Sequence, residues 1–326
     1  MTSQACTQTR KYPVDIIWHA DWSMSAKGRW VAKANRTGHG WQINAIEPVG
    51  ELDAFRASLR ELGRTQKVWL GLDMPIGFAS TWFDGANVKD FNVLLGLLST
   101  DAWQDFFDVC RLPEEITHQR PFYPKSSGKK GSVKRDHLIQ ALGLSTFGDL
   151  HRRCELPTHA RTAACPPFWT LGANQVGKAM LHGLQNLILP GFRDGFNIWP
   201  YSGDLAACAS QSGVTLIETY PGEIYGWLGL SKLTKSSQSS RADAIRFLLE
   251  HPDNTGIEIA DEVRYVIQDG IDRAHGKDDA FDALIGIFGL IRIAAGKHAE
   301  NLPRRASILE REGWIVGMDE TTIRAK

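Results

Sequence analysis

The 326-residue chain lacks several features that would place it in a special class of protein. Its five cysteines include no CxxC pair, and an odd number of scattered thiols fits a reducing compartment better than a disulfide framework. The first residues, MTSQACTQTRKYP, contain no apolar stretch and predict no secretory signal. The longest apolar run, around 283–295, is interrupted by Gly286, Gly289 and Arg292 and is too short to span a bilayer. These absences predict a cytoplasmic protein with no membrane partner.

The chain also lacks an excess of either charge, because 37 basic residues balance 37 acidic ones. A protein that grips duplex nucleic acid over a wide surface is usually basic, since phosphate neutralisation drives that binding. Any contact with nucleic acid is therefore expected to be local. A content of 43% hydrophobic and 23% charged residues is typical of a globular protein, and the length allows one large domain or two small ones.

Residues 14–77 predict three strands, a helix and a fourth strand. The strand segments are VDIIWHADWS (14–23), GRWVAKA (28–34), GWQINAIEPV (40–49) and VWLGLD (68–73). The first three follow one another in hairpin order, and the helix at 51–62 has apolar residues at helical spacing, with Gly63 as its expected C-terminal cap. A helical crossover makes the strand at 68–73 parallel to the first strand. Two buried strands that each end on an aspartate should then lie side by side.

The rest of the chain predicts an interruption of this core and its return. Residues 78–210 combine short helical patterns with loops rich in proline and glycine, which predicts a mainly helical insertion or cap. The α/β pattern resumes over 211–298 with a strand from 213, a helix from Ser240 as its N-cap, and a long helix at 276–296. Residues 299–326 form a charged tail with a possible small strand at 312–317. The predicted fold is α/β, a mixed sheet with a three-stranded meander plus parallel strands, helices on both faces and the helical insertion.

Five carboxylates stand where an apolar residue would be the default in this pattern. They are Asp21 and Asp73 at strand ends, Glu218 within a strand, and Asp279 and Asp282 on one face of the last helix. Taken singly, each has an ordinary explanation, such as a strand-end aspartate bonded to backbone amides or a solvated acidic helix start. Together they suit a nuclease that uses two metal ions, because magnesium prefers oxygen ligands aimed at one point.

Four short motifs in this order resemble a predicted ribonuclease-H-like nuclease family, the domain of unknown function 429, which is distantly related to the Holliday-junction resolvases. The motifs are ADWS (20–23), GLDMPIG (71–77), ETYPGEIY (218–225) and DDAFDALIGI (278–287). The resemblance covers 14–77 and 213–290. It implies that Asp21, Asp73, Asp279 and Asp282 hold metal, with Glu218 in a less defined role.

The resulting hypothesis is a nuclease that hydrolyses phosphodiester bonds with two Mg or Mn ions. Asp21 would bridge the two ions, Asp73 and Asp282 would hold one each, and Asp279 and Glu218 would complete or orient the ligand shell. A homodimer is possible, as in related resolvases. Two alternatives stay open: a catalytically inactive ribonuclease-H-like scaffold that binds a protein or nucleic-acid partner, and an actin-like ATPase or phosphotransferase. Against the last, Asp21 is followed by Trp22 rather than by a glycine-rich phosphate turn.

One flexible segment, KSSGKKGSVKR (125–135), is the expected contact for nucleic acid. Its cations are Lys125, Lys129, Lys130, Lys134 and Arg135, and Phe122 and Tyr123 precede it. Such a loop can hold phosphates and stack a base, although a solvated mobile loop explains the same composition. Another group, His151, Cys154, His159 and Cys165, has a spacing that fits no common structural zinc pattern.

Overall fold

The structure, a computed structural model, describes residues 11–125, 133–159, 161–171, 176–230 and 233–324. These residues form two compact units. The first contains the described residues up to Asp73 together with Gly203–Glu300, and the second contains Met74–Ser202 and the described residues from Asn301 onward. Residues 301–324, which the sequence analysis sets apart as a tail, thus belong to the second unit.

Seven strands and eleven α-helices make up the regular structure of the described residues. The strands are β1 Ile16–Asp21, β2 Trp30–Arg36, β3 Trp41–Pro48, β4 Lys67–Asp73, β5 Asn197–Trp199, β6 Gly213–Glu218 and β7 Ile257–Ile259. The helices are α1 Leu52–Gly63, α2 Ser80–Ala86, α3 Phe91–Leu97, α4 Asp136–Ala141, α5 Val176–Gly183, α6 Leu189–Arg193, α7 Leu205–Cys208, α8 Pro221–Trp227, α9 Gln238–Glu250, α10 Asp261–Ile267 and α11 Lys277–Ala294.

Six of the strands form a mixed sheet in the first unit, in the order β6-β4-β1-β2-β3-β7, which confirms the predicted α/β class. β1, β2 and β3 pair antiparallel as the predicted meander, while β4 pairs parallel with β1 and β6 pairs parallel with β4. The short β7, which the sequence analysis does not predict, pairs parallel with β3. The carboxyl ends of β1, β4 and β6 therefore lie at one edge of the sheet.

Helices cover both faces of the sheet in the first unit. Successive side chains of a strand point to opposite faces, and β1 shows this with Trp18 and His19. The Trp18 ring lies 5.5 Å from the ring of Phe55 in α1. On the other face α11 comes so close that a side chain on Gly286 would overlap the His19 ring. This close packing brings the beginning of α11 to the carboxyl end of β1.

Three local predictions in and around these elements are wrong. Gly63 is the last residue of α1 rather than a residue beyond it, and a Cβ there would lie 2.8 Å from Val214, so close packing on β6 accounts for the glycine. The N-cap of α9 is Ser237, whose side chain accepts a hydrogen bond from the Ser240 amide. Residues 313–317 form no strand. They lie in irregular chain after the π-helical turn Ile308–Glu312, and their apolar side chains are buried.

The second unit contains short helices around an aromatic cluster. The rings of Phe78 and Phe168 stack with their centres 4.8 Å apart, and Trp82, Phe106 and Phe122 pack against them. Residues Asp101–Phe107 form a 3-10 helix. Glu312, which is 8% exposed, accepts a hydrogen bond from the Ser80 amide and another from the Arg153 amide. The predicted mainly helical character of this region agrees with these elements.

Candidate active site

Two of the predicted acids end neighbouring strands in the same register. Asp21 is the last residue of β1, Asp73 is the last residue of β4, and the two are paired across the parallel ladder. Paired residues of neighbouring strands have Cα atoms about 4.8 Å apart. Glu218 ends β6, is paired with Leu72, and is only 2% exposed, so its side chain does not face solvent. The parallel pairing predicted from the sequence thus brings Asp21 and Asp73 to one edge of the sheet, and the parallel pairing of β6 with β4 adds Glu218.

The first turns of α11 add the other two predicted acids. Asp282 is 3% exposed, and Asp279 is partly buried and hydrogen-bonded to Asp21. The charges of both residues act on Asp21, as does the charge of Asp73. The helix begins at Lys277, after the N-cap residue Gly276. We call Asp21, Asp73, Asp279 and Asp282 the carboxylate cluster.

Burial and mutual repulsion make the ionised form of this cluster costly. Burial, followed by repulsion from Asp73, Asp282 and Asp279, raises the pKa of Asp21 well above its usual value. The pKa of Asp73 is raised to about 8 by burial and by the charges of Asp282 and Glu218. Burial also raises the pKa of Asp282. Without further positive charge, part of the cluster therefore keeps its protons near neutral pH.

Lys235 and Tyr225 contact the cluster directly, although the sequence analysis assigns neither of them a role. The Lys235 ammonium group donates a hydrogen bond to Oδ2 of Asp282, and the Tyr225 hydroxyl donates one to Oδ1. The positive charge of Lys235 opposes the pKa rise of all four cluster aspartates. Lys235 lies in the polar segment KLTKSSQSS, which has no pattern that could have revealed it. Tyr225 is the last residue of the ETYPGEIY motif, which marks its position without indicating its contact.

A buried arginine in α9 holds the backbone at Lys235. The guanidinium group of Arg241 donates to the carbonyl oxygen of Lys235 at 2.7 Å and to the carbonyl oxygens of Gly270 and Ile271 at 2.8 Å each. Arg241 is 1% exposed, so these three bonds take the place of water around its charge. The segment that carries Lys235 is thereby tied to the chain that leads into α11.

A buried histidine links the ends of β1 and β6 behind the cluster. His19 Nε2 lies 2.7 Å from Oγ1 of Thr219, the residue after Glu218. The intervening strand β4 has Gly71 at the crossing point, where a Cβ would lie 2.6 Å from the His19 ring. Burial lowers the pKa of His19 to about 3, so the ring is neutral at physiological pH. His19 therefore positions the Glu218 end of β6 by a neutral hydrogen bond.

The metal-ligand arrangement predicted for the aspartates stays a prediction. Across the described residues, no set of three or more His, Cys, Asp or Glu side chains is arranged to hold a metal ion. At the cluster, both oxygens of Asp282 are engaged by Lys235 and Tyr225. The other candidate group for a metal ion was His151, Cys154, His159 and Cys165. Both ring nitrogens of His151 lie within 3.3 Å of backbone carbonyl oxygens, those of Gly148 and Ala164.

The proposed nucleic-acid segment belongs to the second unit, and only part of it is described. Lys129 and Lys130 lie outside the described residues, whereas Lys125, Lys134 and Arg135 are exposed. The expectation that Phe122 and Tyr123 stack a base is wrong, because they are 0% and 1% exposed. Instead, the Arg135 guanidinium group lies over the rings of Phe147 and Trp169, at 4.5 and 5.7 Å from their centres.

No protein-family model, no curated protein and no solved structure matches this chain. The resemblance to the domain of unknown function 429 therefore stays a prediction, while the α/β mixed sheet is observed. In the part of the chain that the structure describes, no helix has the length and apolarity needed to cross a membrane.

Proposed function

We propose that the first unit is a divalent-metal-dependent hydrolase that cleaves phosphodiester bonds of nucleic acid. The observation that carries this proposal is the convergence of the carboxylate cluster, in which Asp21 and Asp73 end paired parallel strands and Asp279 and Asp282 approach from α11. Acids on rigid elements around one point are what such chemistry needs. Four aspartates in one partly buried place repel one another, so the cluster does not serve the stability of the fold.

The charge and chemistry of the cluster fit a divalent ion of the Mg or Mn type. Four ionised aspartates carry a formal charge of −4, and Lys235 returns +1, which leaves −3 in a partly buried site. The donors are all carboxylate oxygens, which hard divalent cations prefer. The raised pKa values of Asp21, Asp73 and Asp282 show that the ionised cluster lacks compensating positive charge. A divalent ion would compensate the negative charge better than protons do.

The residues take distinct roles in this proposal. Asp21, on which the charges of the other three aspartates act, would help to hold both ions, and Asp73 and Asp282 would each help to hold one. Asp279 and Glu218 orient their neighbours, and Tyr225 fixes the Asp282 carboxylate. A bound divalent ion would activate water as a nucleophile and stabilise negative charge on the leaving oxygen. The protein holds the carboxylates on β1, β4 and α11 so that little reorganisation precedes reaction.

A second candidate function is a non-catalytic scaffold of the same fold. The specific observation in its favour is that Lys235 and Tyr225 already engage both oxygens of Asp282 without a metal ion. A lysine that stayed paired with Asp282 would be a structural device rather than a catalytic one. The two candidates differ in one measurable property, the binding of divalent metal at the cluster.

The activity test uses purified full-length protein, Mn²⁺ or Mg²⁺, and a panel of labelled DNA and RNA substrates that includes single strands, duplexes and four-way junctions. We expect cleavage that is lost in Asp21→Asn and in Asp282→Asn, both of which keep the side-chain size. Asp261→Asn, at an exposed aspartate that begins α10, is the matched control and should cleave like wild type. Cleavage retained by Asp21→Asn with normal folding would contradict the assignment.

A further inference from the structure

We propose that Lys235 is an internal cation that occupies the carboxylate cluster before metal binds and that an entering divalent ion displaces it. This inference rests on the proposed function, since it concerns how the same site is loaded. It assigns Lys235 a role opposite to that of the aspartates: they would hold the metal ion, and Lys235 would compete with it.

Lys235 contacts the most buried aspartate of the carboxylate cluster. Its Nζ atom donates to Oδ2 of Asp282, the least exposed aspartate of the cluster, while Tyr225 takes the other oxygen. Its charge also acts on Asp21, Asp73 and Asp279, which come from three different elements. The ammonium group therefore pairs with one carboxylate of the cluster and acts electrostatically on the other three, so a metal ion held by the same four carboxylates would compete with it for Asp282.

The side chain of Lys235 is partly open to solvent while its backbone is held in place. Its side chain is 37% exposed, so one side of it reaches solvent and the ammonium group can leave the cluster without unpacking the core. The backbone does not need to follow, because Arg241 holds the Lys235 carbonyl oxygen and Ser240 accepts a hydrogen bond from the amide of Thr234. A lysine side chain has four rotatable carbon–carbon bonds with which to move. Exchange therefore requires a change of side-chain rotamer on a fixed segment.

Charge decides the direction of the effect. Two divalent ions would neutralise four ionised aspartates, and an ammonium group kept in the same place would repel both ions. Removing Lys235 should therefore strengthen metal binding, whereas removing a ligand weakens it. If Lys235 served only to orient Asp282 for the metal ion, its substitution would weaken metal binding instead.

The first experiment measures Mn²⁺ binding by calorimetry at constant pH and ionic strength for wild type, Lys235→Met and Lys277→Met. Methionine keeps the length of the side chain and removes its charge. Lys277 is the matched control because it is exposed, lies at the start of α11 and is the weakest of the named influences on the pKa of Asp279. We expect Lys235→Met to bind Mn²⁺ about tenfold more tightly than wild type or better, and Lys277→Met to change the affinity much less. Lys235→Gln is the second variant, in case methionine promotes aggregation.

The second experiment observes the displacement itself. The rate at which an amine-acylating reagent modifies Lys235 is measured by mass spectrometry with and without Mn²⁺, and Lys277 serves as the internal reference. We expect Mn²⁺ to accelerate modification of Lys235 several-fold while leaving Lys277 unchanged. Equal or weaker Mn²⁺ binding by Lys235→Met than by wild type would overturn the inference while leaving the proposed function intact. Absence of Mn²⁺ binding by both proteins would instead remove the proposed function.

Discussion

Replacing Asp73 with asparagine should stabilise the metal-free protein at neutral and higher pH while it removes one of the proposed ligands. Asparagine has nearly the same size as aspartate but cannot ionise. Burial and the charges of Asp282 and Glu218 raise the pKa of Asp73 to about 8 from an ordinary value of 3.8. The folded state therefore binds a proton that the unfolded chain has lost, over the whole range between these two values.

The sign follows from this difference in proton binding. The stability associated with the Asp73 carboxyl is fully present below its unfolded pKa of 3.8 and is lost as the pH rises through its folded pKa of about 8. The loss has a limiting slope of about 1.4 kcal/mol per pH unit for one proton. Asp21 and Asp282 share the same repulsion, so relaxation among them reduces the effect. We expect Asp73→Asn to unfold with a free energy about 1–3 kcal/mol higher than wild type at pH 8.

The assay is urea unfolding in the presence of a chelator at pH 4.5 and at pH 8. The advantage of Asp73→Asn should be large at pH 8 and should shrink toward pH 4.5, where wild type is also protonated. Asp261→Asn, the exposed control, should show no such pH-dependent gain. A variant less stable than wild type at pH 8, or a gain independent of pH, would refute the reasoning that repulsion dominates the metal-free cluster.

Three further predictions test the packing and the chemistry around the cluster. Gly286→Ala should lower the free energy of unfolding by about 1–3 kcal/mol or more because its methyl group overlaps the His19 ring, whereas Gly226→Ala, which meets no atom within 4 Å, should be neutral or slightly stabilising in urea unfolding. Arg241→Met should cost about 2–4 kcal/mol in the same assay, since three buried carbonyl oxygens lose their donor, and exposed Arg246→Met should cost little. Mn²⁺ binding at pH 6.5 should release protons, measured by calorimetry in two buffers of different ionisation enthalpy, and buffer-independent heats would contradict the raised pKa values of Asp21 and Asp73.

The central part of the fold could be predicted from the sequence because its signals are local. Two apolar strands each end on an aspartate, and the helix between them forces a parallel pairing, so the neighbouring positions of Asp21 and Asp73 follow from the handedness and length of the crossover. The long apolar helix α11 could also be recognised, with its acids in the first turns. The periodicity of these elements is enough to identify them from the sequence.

The contacts that complete the site could not be predicted in this way. The ion pair of Lys235 with Asp282 joins residues 47 positions apart, and the lysine lies in a polar segment without periodicity. The hydrogen bond between His19 and Thr219 depends on Gly71, whose missing side chain lets the imidazole cross β4. Such contacts arise from the way distant elements pack, and no local spacing indicates them.

Short apolar or aromatic segments do not reveal their structure from composition. The segment around Trp314 has the composition of a strand, yet its indole nitrogen donates to the Met318 carbonyl oxygen in irregular buried chain. Phe122 and Tyr123 beside a basic segment suggested a stacking surface, but both belong to the interior of the second unit. Composition alone does not separate an aromatic residue that faces a ligand from one that fills a core.

The most direct test of the central claim is Mn²⁺ binding by calorimetry to wild type and to Asp21→Asn at pH 7.5. We expect wild type to bind Mn²⁺ and Asp21→Asn to lose this binding, because Asp21 ends β1 at the point where the other three carboxylates converge. No binding by wild type at millimolar Mn²⁺, or equal binding by both proteins, would contradict the account and leave the cluster as part of a non-catalytic scaffold.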